Sequence, residues 1–213
     1  MDSLYDFYKT TCDRYNDRLL FAGGMKYSDG YSLLERRAAF IQKSGYSRGD
    51  VIALLSPNSI EMCITFMAIT AAGAVVLPLD PNLDKKLYPE MVKKAGAKAI
   101  FTTSAFKKLF SDVNVYDLDL SKNIEKRGGL KRPGCTADDI SSLFFTSGTT
   151  GEPKIVQLSQ GNLFKTALAS AEFCRTTPDD MILTLLPLFH AYGIIAAFLG
   201  PMAHGSSVHV AIL

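Results

Sequence analysis

LFFTSGTTGEPK, which occupies residues 143–154, joins a short apolar run to a loop of hydroxyls, glycines and one lysine. The apolar run predicts a buried strand, so the loop stands at the end of a rigid element. Glycines let the backbone approach a ligand closely, hydroxyl and N–H groups donate hydrogen bonds, and the lysine adds a positive charge. The pattern predicts a phosphate site, although a polar β-turn would account for the same residues. The predicted phosphate-binding residues are Thr146, Ser147, Gly148, Thr149, Thr150, Gly151 and Lys154.

This loop differs from the common nucleotide-binding loop, in which a lysine directly follows a glycine and a hydroxyl residue directly follows the lysine. Here Pro153 precedes Lys154, and Ile155 follows it. Residues 155–158 alternate in the manner of a strand, so no helix N-terminus is directed at the phosphates. The stretch therefore predicts a strand, a phosphate-binding loop and a second strand.

The composition is that of an ordinary globular protein. The chain has 213 residues, of which 47% are hydrophobic, and its formal net charge of +2 gives no general attraction to nucleic acid or to an anionic membrane. Four scattered cysteines predict reduced thiols rather than a zinc site or a disulfide framework. The N-terminus lacks the apolar core of a signal peptide, so we expect a cytoplasmic protein.

Two apolar runs are candidates for membrane spans. Residues 62–77 fall short of the ~20 residues that a bilayer requires. Residues 181–203 are long enough, but Pro187 and Pro201 interrupt them. We expect no membrane span, and we predict instead a buried helix in the first run and a strand followed by a buried helix in the second.

Strands and helices alternate through the first part of the chain. Strands are predicted at 51–55, 74–79, 98–103 and 113–116, and helices at 4–15, from 32 to about 45, at 60–72, at 87–95 and, as a short piece, at 105–110. The second helix is expected to begin at Ser32, because Ser32 and Glu35 have the spacing of a capping box. This alternation predicts an α/β fold with βαβ units and a mostly parallel sheet.

The polar, glycine-containing segment 121–139 is predicted to be a linker. It would separate an N-terminal α/β subdomain at 1–120 from the start of a second α/β part at 140–213. The second part is predicted to hold a helix from Ser159 to about residue 174, a strand at 182–188, a buried helix at 194–199 and a strand at 206–213. Because that last strand is apolar to its end, we expect the sequence to be a portion of a longer protein.

The string TSGTTGEPK at 146–154 closely resembles the signature of the adenylate-forming superfamily. This superfamily includes acyl-CoA synthetases, firefly-type luciferases and the adenylation domains of peptide synthetases. Three further stretches resemble other motifs of the family in the correct order: YSLLE at 31–35, AAGAVVLPLD at 71–80 and LPLFHAYG at 186–193. The resemblance covers nearly the whole chain. It implies a layered αβαβα arrangement of mostly parallel sheets with buried helices, as in the large N-terminal domain of these enzymes, incomplete here.

The resemblance also implies a reaction and roles for residues. In the family a carboxylate attacks the α-phosphate of magnesium ATP, pyrophosphate leaves, and the acyl-adenylate is commonly captured by the thiol of coenzyme A. Residues 146–151 and Lys154 would hold the β- and γ-phosphates and neutralise the departing pyrophosphate. His190 would border the acyl and adenylate site and orient the substrate carboxylate, and Gly193 would leave room for the acyl group. Without the motif around it, His190 reads as a histidine packed at the end of a strand.

The substrate class follows from the same comparison of motifs. Amino-acid-activating relatives usually carry an aspartate where this chain has Phe189 and His190, so a fatty or aryl acid is favoured. The chain departs from the family in having Ile155 after Lys154, where glycine is usual, and in lacking the later motifs for adenine, ribose, magnesium and the C-terminal lid. No metal ligand is assigned within it.

Taken together, these expectations describe the N-terminal portion of an acyl-CoA synthetase that is inactive without the remainder of its enzyme. Its partners would be ATP and a carboxylic acid, with no nucleic acid. Two alternatives stay open at this point: a non-catalytic phosphate-binding, acyl-binding or interaction module with the same fold, and an amino-acid adenylation domain.

Overall fold

The computed structural model describes residues 2–126, 129–146 and 154–211. Its helices are α1 (Leu4–Arg14), α2 (Tyr27–Lys43), α3 (Ile60–Ala71), α4 (Leu87–Lys94), α5 (Gln160–Phe173), α6 (Ala191–Ile194) and α7 (Gly200–Ala203), with a 3₁₀ turn at Lys107–Leu109 and a π-helical turn at Ile195–Leu199. Its strands are β1 (Val51–Leu55), β2 (Val75–Leu79), β3 (Ala99–Thr102), β4 (Asn114–Asp117), β5 (Ile140–Thr146), β6 (Lys154–Ser159), β7 (Met181–Thr184) and β8 (Ser207–Val210).

A six-stranded sheet in the order β4-β3-β1-β2-β5-β6 forms the centre of the fold. Strands β1 to β5 are mutually parallel, and only β6 runs antiparallel to its neighbour β5. Strands β7 and β8 form a separate parallel pair. The predicted α/β class with a mostly parallel sheet is therefore confirmed. Because the five strands are parallel, their C-terminal ends all lie at one edge of the sheet, here called the carboxyl edge.

Helices cover both faces of this sheet, as the residues of β1 illustrate. Ile52 and Leu54 belong to the apolar cluster that includes α1, α2, α3 and α5, whereas Ala53 and Leu55 belong to the cluster that includes α4. Successive side chains of a strand point to opposite faces, so a five-residue run that is apolar throughout is the expected sequence of a strand buried on both sides. The layered arrangement agrees with the expected one.

Most predicted elements are present within a few residues of their predicted bounds, and the exceptions have physical causes. Helix α2 begins at Tyr27 and not near Ser32, because the Asp29 carboxylate accepts a hydrogen bond from the Lys26 N–H and so closes the helix start earlier. Gly30 lies inside this helix, where a Cβ atom would stand 2.6 Å from Leu20 Cδ2. The close contact explains why glycine occupies this position inside the helix.

The predicted strand at 182–188 is shorter in the structure and ends at Thr184. The residues that follow form an irregular turn, although they are equally apolar. The predicted buried helix at 194–199 is present, but most of it is π-helical. In the described part of the chain, no helix combines the length and the hydropathy needed to cross a membrane. All four cysteines are free thiols, as expected.

The segment 121–139 contacts the first part of the chain over several of its described residues. The Gln42 side chain donates to Lys131 O at 2.8 Å and accepts from Lys131 N at 3.0 Å, and Arg132 forms an ion pair with Asp6 at 2.7 Å. Strands β5 and β6 then join the same sheet as β1 to β4. The division of the chain into two parts at this segment stays a prediction.

Arg37 of α2 is fully buried and holds the irregular chain that follows β4. Its guanidinium lies 5.2 Å from the centroid of the Phe101 ring. Burial lowers the pKa of Arg37 to about 10, an effect that the nearby Asp119 carboxylate partly offsets, so the group stays charged at neutral pH. Its terminal nitrogens donate to Thr65 Oγ1 at 2.5 Å, Leu118 O at 2.9 Å, Asp119 O at 2.6 Å and Lys122 O at 2.9 Å.

We expect Arg37→Ala to lower the free energy of unfolding by about 3 kcal/mol, because it leaves several main-chain carbonyls without donors in a buried region. Arg36→Ala is the matched control. Within the described residues the side chain of the neighbouring Arg36 donates to one acceptor, Glu125 O at 2.7 Å, so its removal should cost about 1 kcal/mol. Urea unfolding followed by circular dichroism measures both. Equal losses for the two variants would contradict the role assigned to Arg37.

Candidate functional site

The β5–β6 hairpin holds the two ends of the predicted phosphate-binding loop side by side. Thr146 is the last residue of β5 and Lys154 the first residue of β6, and the two are directly paired in the antiparallel register. Both are exposed to solvent, and Thr146 Oγ1 lies 3.5 Å from Lys154 O. The predicted sequence of strand, loop and strand is therefore confirmed for its strands. Ser147, Gly148, Thr149, Thr150 and Gly151 lie outside the described residues.

The base of this hairpin is fixed by packing on both faces of the sheet. Phe144 belongs to one apolar cluster and Leu143 to the other, and both side chains are buried. Phe145 is half-buried, and Thr146, at the end of the strand, is exposed. The loop therefore starts from a rigid base at the carboxyl edge, which is where open α/β sheets bind their ligands.

The second group of predicted site residues lies in the turn at 186–190, between β7 and α6. Leu188 and Phe189 are buried, whereas the His190 side chain is exposed, with its ring centroid 4.7 Å from that of Phe189. His190 N donates to Pro187 O at 3.2 Å, and His190 O accepts from Ile194 N at 3.0 Å. His190 is thus the residue that precedes the first turn of α6, and its imidazole is free to meet a ligand. In the described part of the chain, no hydrogen bond joins Thr146 or Lys154 to His190 or Gly193.

Asn58 connects this turn to the carboxyl edge by hydrogen bonds. The sequence motifs did not identify it as a site residue. It lies in the short segment between β1 and α3 and is buried. Its Nδ2 donates to Leu186 O at 2.9 Å, and its Oδ1 accepts from Leu188 N at 2.8 Å. In the sequence, residues 56–59 (SPNS) indicate a turn that supplies a cap for the following helix. In the structure Ser59 is that cap. An amide residue between two long apolar runs was the available signal.

Gly193 of α6 packs directly against the same turn. It is buried, and a Cβ atom at this position would lie 2.0 Å from Pro187 O. No side chain fits in that space, so glycine is required for α6 to approach the turn so closely. Its assigned role, which was to leave room for an acyl group, stays a prediction.

The other histidines do not extend the site. His204 Nδ1 lies 3.0 Å from Thr176 O, and His209 is exposed on β8. Among the described residues, no three His, Cys, Asp or Glu side chains lie close enough together to hold a metal ion.

Comparison with known proteins identifies the family. Residues 9–212 match the family model described as AMP-binding enzyme. The chain is 30% identical over 195 residues to 4-coumarate–CoA ligase from Pinus taeda, an alignment that covers 82% of this chain and 36% of the ligase. The chain thus spans about a third of that relative's length.

Two solved structures show the same fold. The N-terminal subdomain of NpsA from Klebsiella oxytoca, in complex with 3-hydroxyanthranilyl-AMSN, aligns with a TM-score of 0.85 and 21% identity, over 100% of this chain and 55% of that chain. ATP-bound MatB from Rhodopseudomonas palustris aligns with a TM-score of 0.82 and 23% identity, over 98% of this chain and 45% of that chain. The fold expected from the four motifs is confirmed.

We expect Gly193→Ala to displace the turn at 186–190 and to lower the free energy of unfolding by about 2 kcal/mol, because the added methyl group overlaps Pro187 O. Gly23→Ala is the control, since a Cβ atom at Gly23 meets nothing within 4 Å. Thermal unfolding compares the two variants with the wild type. An unchanged unfolding temperature for Gly193→Ala would contradict the close packing described above.

Proposed function

The chain belongs to the family of AMP-binding enzymes, and we propose that it forms the N-terminal part of an ATP-dependent acyl-CoA synthetase, an acid–thiol ligase. The observation that carries the proposal is the β5–β6 hairpin, which presents Thr146 and Lys154 together at the carboxyl edge. The similarity to 4-coumarate–CoA ligase supports it. The 213 residues would be inactive without the remainder of the enzyme.

In the proposed reaction, a carboxylate oxygen of the acid forms a bond to the α-phosphorus of ATP, and the bond to pyrophosphate breaks. The sulfur of coenzyme A then forms a thioester with the acyl carbon, and AMP leaves. Residues 146–151 and Lys154 would bind the β- and γ-phosphates. The ammonium group of Lys154 would offset the negative charge that builds up on the leaving pyrophosphate, and in this sense it would be catalytic.

His190 would bind and orient the carboxylate of the acid. Its exposed imidazole directly follows the buried side chains of Leu188 and Phe189, so it can meet a ligand without distorting the fold. No acidic residue stands beside it in the turn to pair with an α-ammonium group, which favours a fatty or aryl acid over an amino acid. Gly193 would border the same pocket.

Magnesium would accompany ATP, and the described residues offer no cluster of ligands for it. A cytoplasmic location stays a prediction.

A non-catalytic phosphate- or acyl-binding module is the second candidate. Such binding would need only groups that can meet phosphate and acid, and Thr146, Lys154 and His190 are exposed in the described part of the chain. Such a module would bind ATP or an acid without releasing pyrophosphate, and the same assay separates the two.

The complete gene product that contains these 213 residues should exchange labelled pyrophosphate into ATP only when a carboxylic acid is added. Octanoate, palmitate, benzoate and 4-coumarate are suitable first probes, with leucine and phenylalanine to represent amino acids. We expect the fatty or aryl acids to give the faster exchange. Faster exchange with an amino acid would support an adenylation domain instead, and hydrolysis of ATP to ADP without any acid would contradict the proposal.

Lys154→Ala should slow this exchange by about 10²-fold, because it removes a positive charge that would offset the negative charge of the leaving pyrophosphate. Lys165→Ala is the matched control: Lys165 is an exposed lysine on α5, outside the hairpin, and its removal should leave the rate unchanged. Equal rates for the two variants would remove Lys154 from the phosphate site.

A further inference from the structure

We propose that Asn58 is a positioning residue that fixes the turn at 186–190, and through it the His190 side chain, for binding of the acid. The inference rests on the proposed function. It adds a residue that lies in none of the four motifs, more than 120 residues before the turn in the sequence.

The two hydrogen bonds of Asn58 define the turn from one side. The amide nitrogen donates to Leu186 O and the amide oxygen accepts from Leu188 N, so a single planar group spans both sides of Pro187. Pro187 has no N–H of its own to form a turn hydrogen bond. A side chain that both donates and accepts therefore replaces the pairing that regular structure would have supplied.

The anchor of this amide is rigid. Asn58 follows β1, which is paired on one side with β2 and on the other with β3. It precedes Ser59, whose side chain caps α3 by accepting from Met62 N at 3.1 Å. With a central strand before it and a capped buried helix after it, the position of Asn58 is set by the core of the fold.

The opposite side of the turn is held by the contact of Gly193 with Pro187 and by the hydrogen bond from His190 N to Pro187 O. The turn thus lies between two fixed elements, α6 and the end of β1. Removing the amide leaves Leu186 O and Leu188 N without their partners. The turn then loses its hydrogen bonds to the end of β1 and keeps only its contact with α6. His190 directly follows the buried pair Leu188 and Phe189. The orientation of its side chain therefore depends on the hydrogen bonds that Asn58 makes to the turn.

Replacing Asn58 should weaken the binding of the acid and not that of ATP. In the described part of the chain, no hydrogen bond joins Asn58 to β5 or β6, which carry the ends of the phosphate-binding loop. A merely structural residue would weaken the binding of acid and ATP together, whereas a residue that positions His190 should weaken the binding of the acid alone.

The test uses the complete gene product and the acid, among octanoate, palmitate, benzoate and 4-coumarate, that gives the fastest pyrophosphate exchange. Asn58→Ala should raise the KM for this acid by about tenfold or more, with the KM for ATP within about twofold of the wild type. Hydrogen–deuterium exchange at the Leu188 amide should become at least about tenfold faster, because its acceptor is gone. Asn114→Ala is the control: Asn114 donates to the Tyr46 hydroxyl at 2.7 Å from the edge strand β4.

An equal rise of both KM values, or a lower unfolding temperature with neither KM changed, would overturn the proposal. So would an acid KM for Asn114→Ala that rises as much as that for Asn58→Ala. If Asn58→Ala does not fold, Asn58→Asp is measured in its place, since it keeps the size and the acceptor of asparagine but cannot donate to Leu186 O when ionised. A wild-type acid KM in Asn58→Asp would overturn the proposal.

The proposed function and the role of Asn58 are tested by different measurements. If the wild-type protein shows no acid-dependent exchange with any probe, the proposed function is wrong. The amide exchange of Leu188 then decides alone whether Asn58 holds the turn, and unchanged protection in the variant would show that it does not.

Discussion

Five parallel strands impose the constraint on which the rest of this structure depends. A parallel pair cannot be closed by a tight hairpin, so each strand must be followed by a crossover that returns the chain to the opposite edge. All the segments that leave the strands therefore start at the carboxyl edge, including the one that carries Asn58 and the one that begins at Thr146. The antiparallel strand β6 begins at Lys154, opposite Thr146, so Lys154 lies at the same edge. Residues far apart in sequence meet there because of topology.

The buried polar groups of the fold serve the segments that this topology leaves irregular. Arg37 binds the carbonyls of three residues after β4, and Asn58 binds a carbonyl and an N–H of the turn before α6. In both cases a side chain supplies the partner that a helix or strand would have provided from the main chain. The charge or amide is costly to bury alone, and the hydrogen bonds offset that cost.

Local patterns predicted the elements whose causes are local. The β1 run, the Ser59 cap of α3 and the strands of the hairpin are each determined by neighbouring residues, and they were predictable. The start of α2 was not, because Ser32 and Glu35 also have the spacing of a capping box. The helix instead starts where the Asp29 carboxylate accepts from Lys26 N–H. Residues 185–188 look like strand, and only their contact with a distant amide makes them a turn. The role of Asn58 was hidden for the same reason, since its partners are main-chain groups that leave no mark in a motif.

The separation of Asn58 from its partners also sets an order of assembly. The core strands β1, β2 and β3 with their helices come from one continuous segment, 51–102, which can fold while the ribosome is still translating the hairpin. Leu188 follows Asn58 by 130 residues, so at typical rates it emerges roughly 10 s later. The Asn58 amide therefore stays without its native partners until the turn that bears His190 has been synthesised and docks onto it.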